Sequence, residues 1–160
     1  MKTATQTAGR SHQPRIIFQR ILVATDGSPA ARAADATAVK VARAWGGCVR
    51  FVSVIDTDRL VSDFSMGTDG DFGDVVERLK TVARAVLEQA RGRASEAGVD
   101  AEAAFLEGDV VDRILEEAAA WCADVIMIGT HARPHELHPS LGSKAHELLR
   151  RSTLPVLVCR

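Results

Sequence analysis

Four short, largely apolar runs, separated from one another by helical patterns, constrain this chain more than any other feature. They are Arg20 to Thr25, Cys48 to Ile55, Val125 to Ile128 and Val156 to Cys159. An unbroken apolar run of about four to eight residues suits a strand covered on both faces, the condition of a parallel sheet. A weaker fifth strand is read from the alternation of Val99, Ala101, Ala103 and Phe105.

The segments between carry helix punctuation. Ser28-Pro29 supplies a capping hydroxyl and a first-turn proline, and the helix runs through alanines to Trp45 and Gly46-Gly47. From Phe72 to Ala97, the residues Val75, Val76, Leu79, Val82, Ala83, Val86 and Ala90 fall on one helical stripe that Gly98 closes. Gly108-Asp109 caps a helix with Val110, Ile114, Leu115 and Ala118 inward, and a last helix spans Ser143 to Arg151. Asp56 to Gly70 reads as a long polar loop. Five strands alternating with four helices predict an α/β fold. Its sheet is open, five-stranded and parallel, ordered 3-2-1-4-5, with right-handed crossovers and helices on both faces. With no repeat or linker in view, residues 18–160 read as one domain and residues 1–17 as a disordered polar leader.

Such sheets bind ligands beyond the carboxyl ends of their strands, where the strand order reverses. Here that point lies between Asp26, ending the first strand, and Gly129, ending the fourth. Gly129-Thr130-His131-Ala132 is followed nine residues later by Gly142-Ser143, which opens a helix. Small residues permit close backbone approach, and a helix start offers free N–H groups to an anion such as phosphate.

The spacing Gly-x2-Ala-x9-Gly-Ser resembles the Gly-x2-Gly-x9-Gly-(Ser/Thr) signature of the universal stress protein family, with Ala132 in place of the second glycine. Ile21 to Ser28 resembles the family's first strand with its Asp-x-Ser, and Pro155 to Val158 its last strand. The resemblance covers about residues 18–160. It implies a Rossmann-like fold of the adenine nucleotide alpha hydrolase type. It further implies ATP or another adenine nucleotide as ligand, accompanied by Mg2+, and a role in the stress response. By resemblance, Ala24, Thr25, Asp26 and Val54 form the adenine end of the pocket. Gly129 and His131 lie by the ribose and phosphates, and Ala132, Gly142, Ser143, Lys144 and Ala145 offer backbone N–H groups. Lysine at position 144 is unusual for the family; it either pairs with phosphate or points into solvent.

Plainer readings stand beside these. Glycines mostly punctuate turns, and Asp26 ordinarily shapes one. The histidines His131, His135 and His138 share a loop broken by Pro134 and Pro139, which suits a solvated segment better than a metal site. The acids from Asp69 to Asp74 lack the Gly and Glu of a calcium loop. Cys48, Cys122 and Cys159 show no metal or disulfide spacing and read as reduced, mostly buried thiols.

A formal net charge of −1 argues against nucleic acid or a membrane surface as partner. No apolar run has membrane-spanning length and no signal peptide is evident, so the expectation is a cytoplasmic protein. Neither a Gly-x-Ser-x-Gly elbow, a P-loop nor a Cys/His pair supports catalysis. The leading function, which the resemblance implies, is an ATP-binding regulator of the stress response. A protein-interaction module without nucleotide comes second, because Ala132 breaks the motif, and a slow nucleotide hydrolase third. Without a helix after Val158 to cover it, the last strand is expected to pair with its mate in a homodimer.

Overall fold

A computed structural model describes residues 18–65, 72–130 and 141–160. The elements run β1 (Arg20–Ala24), α1 (Pro29–Trp45), β2 (Cys48–Ile55), α2 (Thr57–Ser65) and α3 (Phe72–Glu96). They continue with β3 (Ala101–Glu107), α4 (Val110–Ala120), β4 (Val125–Gly129), α5 (Ser143–Arg151) and β5 (Val156–Cys159). The strands form one parallel sheet in the order β3-β2-β1-β4-β5, as the alternation of runs and helices predicts.

The two-residue period of a strand divides the core between the faces. On one face Ile21, Val23, Val49, Phe51, Val125 and Met127 pack beneath Ala34, Ala38 and Ala42 of α1 and Leu87, Ala90 and Ala94 of α3. On the other, Leu22, Val52 and Ile126 meet Val111, Ile114 and Ala118 of α4 and Leu148 of α5. Alanine on α1 is what lets a helix lie close to the sheet. A Cβ on Gly129 would stand 2.4 Å from the carbonyl carbon of Ala30 and 2.6 Å from the nitrogen of Ala31. Gly129 is therefore required first by helix packing. No helix among the described residues is long and apolar enough to cross a membrane.

Three expectations need correction. Part of the segment read as a loop is helix α2, started by Asp56, whose Oδ1 accepts from the Arg59 N–H at 3.0 Å. On α3 the buried stripe is Ala83, Leu87, Ala90 and Ala94, whereas Leu79 and Val82 are exposed. Ala83 and Ala90 of the expected stripe are buried, but Leu79 and Val82 fall outside the buried one because the helix approaches the sheet through Ala83, Leu87, Ala90 and Ala94. Cys122 is exposed rather than buried, although all three thiols are free. It ends α4 with φ 55°, in a turn where Ala123 N–H donates to Ala118 and Cys122 N–H to Ala119. That pattern is the six-to-one and five-to-two closure usually completed by glycine. The closure after α3 places Gly98 at φ 72° in the same role.

Candidate functional site

Parallel strands end on one edge of the sheet, and every helix that directly follows a strand starts there. Four helix N-termini thus gather around the carboxyl ends of β1, β2, β3 and β4. Three of them are capped by side chains. Ser28 Oγ accepts from the Ala31 N–H at 3.2 Å, and the turn before it is fixed by Asp26 Oδ1 accepting from the Ser28 N–H at 2.9 Å. Asp56 caps α2 as described, and Asp109 Oδ1 accepts from the Val111 and Asp112 N–H groups at 2.9 Å. The fourth differs. Gly142 begins α5 without a side-chain cap, and the first helical rung is His146 N–H to Gly142 O. The N–H groups of Ser143, Lys144 and Ala145 precede that rung and are oriented outward from the helix end.

A cavity of about 840 Å³ opens inside this rim. That is within the common size of small-molecule sites, about 300–1,000 Å³. Ala24, Thr25, Asp26, Val54, Gly129, Gly142, Ser143, Lys144 and Ala145 all line it. His131 and Ala132, and with them the consequence of the missing glycine, lie outside the described residues. Val52, Val110, Ile114 and Ile128 add an apolar wall, with Ile114 and Val52 fully buried. The arrangement offers an apolar wall together with first-turn N–H groups of α5 that have no partner among the described residues.

The Universal stress protein family model matches residues 17–160. The chain belongs to that family. A universal stress protein of Methanocaldococcus jannaschii is 28% identical over 144 residues, covering 90% of this chain and 83% of its own length. Universal stress protein YxiE of Bacillus subtilis is 28% identical over 149 residues, covering 90% of this chain and all of its own. Among solved structures, a family protein of Burkholderia pseudomallei has 29% identity and a TM-score of 0.71, covering 91% of this chain and 98% of its own. Another universal stress protein, crystallised in complex with cAMP, has 25% identity and a TM-score of 0.62, covering 90% of this chain and 98% of its own.

Against the family frame, several side chains take roles the sequence did not reveal. Lys144 is part-exposed and ion-paired. Its Nζ lies 3.7 Å from Asp56 Oδ2 and 3.6 Å from Asp109 Oδ2. Each aspartate thus gives one oxygen to its own helix and the other to the lysine. The Asp112 N–H, partly opposed by burial and helped by Lys144, holds the Asp109 carboxyl below the usual carboxylate range. Asp56 was missed because it was placed in a loop. Its position directly after β2, as Asp26 follows β1, was the available signal.

Asp35, on the inner face of α1, is 2% exposed. Its Oδ2 accepts from Thr25 Oγ1 and from Arg93 Nη2, each at 3.2 Å, while Oδ1 has no partner among the described residues. Burial raises its pKa from 3.8 to about 6, against the lowering effects of the Thr25 bond and Arg93 and with a small further rise from Asp26. The carboxylate ties α3 to the end of β1, and Thr25 itself lines the cavity. The Thr25 N–H is spent on Val52 O at 2.9 Å, so any base-edge contact at this end falls to other main-chain groups.

Proposed function

We propose that this chain binds an adenine nucleotide, ATP foremost, in the cavity at the reversal of strand order and acts as a regulator in the stress response. The observation that carries the reading is a convergence. Nine residues named from sequence resemblance line one cavity whose rim includes the start of α5, uncapped among the described residues. The apolar wall beside Val54 suits a base, and the N–H groups from Ser143 to Ala145 suit phosphate oxygens. The cAMP complex of a protein 25% identical adds support from within the family. Mg2+ would enter with the phosphates it neutralises, and the work would be done in the cytoplasm. The assembly we propose is a homodimer through β5, an outer strand with Leu157 41% exposed.

A second reading, an interaction module without nucleotide, draws on the charge of Lys144 already being met by two carboxylates. Denaturing freshly purified protein and identifying what it releases separates the two. Released adenine nucleotide approaching one per chain is expected. A protein that releases none and takes up no added ATP belongs to the second reading.

A further inference from the structure

Lys144 joins the N-termini of three helices. It sits in the first turn of α5, and its Nζ spans the caps of α2 and α4 through Asp56 and Asp109. All three side chains are part-exposed, so the bridge is held in water-accessible ground and can exchange partners. One ammonium shared by two carboxylates leaves this triad itself net negative, at a rim that Arg59 also lines. A ligand presenting phosphate to the α5 N–H groups meets that charge directly, because Asp56 and Lys144 both line the cavity.

Resting on the nucleotide reading above, we propose that Lys144 and Asp56 form a charge clasp that selects ligands by phosphate number. The exchange is electrostatic, with no bond made or broken. A nucleoside enters with the clasp shut. A ligand carrying several phosphate charges outcompetes the two carboxylates, draws the ammonium to itself and is held by it together with the α5 N–H groups. Asp56 opposes that transfer and Lys144 drives it, so their removal has opposite signs. Both effects grow with the number of charges on the ligand and shrink with added salt.

The test measures adenosine, AMP and ATP binding by calorimetry to the full chain and to Lys144→Gln, Lys144→Arg and Asp56→Asn. Asparagine retains the helix cap of α2 while removing its charge. Lys144→Gln is expected to weaken ATP about tenfold, AMP less, and adenosine by less than about twofold. Lys144→Arg should recover most of the ATP affinity. Asp56→Asn should tighten ATP about three- to tenfold and leave adenosine nearly unchanged. Equal changes for all three ligands would show a merely structural role and overturn the clasp. So would ATP affinity indifferent to Lys144→Gln, while adenosine binding persisted and kept the nucleotide reading intact. Failure of the unaltered chain to bind any of the three would overturn both.

Discussion

Replacing Asp35 with asparagine should stabilise this protein, and by an amount that depends on pH. The carboxylate is 2% exposed, and among the described residues one oxygen lacks a partner and the cation paired with it, Arg93, is half-exposed. The folded state therefore holds its proton to about pH 6, whereas the unfolded chain releases it near 3.8. Between those values the native protein binds more protons than the unfolded one, so stability falls as pH rises through the window. Above pH 6 the full cost persists. A rise from 3.8 to about 6, at about 1.4 kcal/mol per pH unit, sets a ceiling of about 3 kcal/mol. Asparagine fits the same space, accepts from Thr25 and carries no charge, and Arg93 can return to water. Urea unfolding of Asp35→Asn at about pH 7.5 should show a gain of about 1–3 kcal/mol that vanishes near pH 4. A gain equal at both pH values, or a variant less stable at neutral pH, would refute the burial argument.

Cys122→Gly should stabilise by about 1 kcal/mol, because the left-handed closure of α4 is strained with a side chain and not without one. Thermal unfolding under reducing conditions reads it, and a loss would show that the thiol's packing outweighs the backbone. Gly129→Ala should cost about 2–3 kcal/mol, since the added Cβ meets α1 backbone at 2.4 Å; unchanged stability would contradict that approach. At β5, the carbonyls of Pro155 and Cys159 accept from β4, so the main-chain groups of Val156 and Val158 face the outer edge. Val158→Pro should therefore convert a dimer to monomer in light scattering at micromolar concentration. A monomeric unaltered protein, or a dimer indifferent to the proline, would remove β5 from the interface.

Strand order was legible because runs such as Ile21 to Ala24 and Val125 to Ile128 are buried on both faces and so carry no polar residue to mislead. The rim of the cavity followed from order alone, since parallel strands place Asp26, Gly129 and Gly142 on one edge. Helix α2 was not legible: a short, polar segment beside glycines gives little periodicity to detect. Nor was the burial of Asp35, which looks in the sequence like any surface acid of an alanine-rich helix. Its place on the stripe Ala31, Ala34, Ala38 and Ala42 was the overlooked signal. The partners of Lys144 come from two other strand ends, and no local pattern announces a contact that topology creates. Gly129 lines the cavity as expected, and the close approach of α1 backbone is a second demand on it that no local pattern announces.

We propose that the cavity walled by Val54 and the start of α5 holds an adenine nucleotide. Calorimetric titration of ATP with Mg2+ into the full chain and into Gly142→Trp tests it most directly, with circular dichroism confirming that the variant is folded. Gly142 is the half-buried cap of α5 and lines the cavity, so an indole there would block the N–H groups of Ser143 to Ala145 without entering the core. One site per chain is expected in the unaltered protein, with its loss in the folded variant. Equal affinity in both would place the nucleotide elsewhere and contradict the proposal.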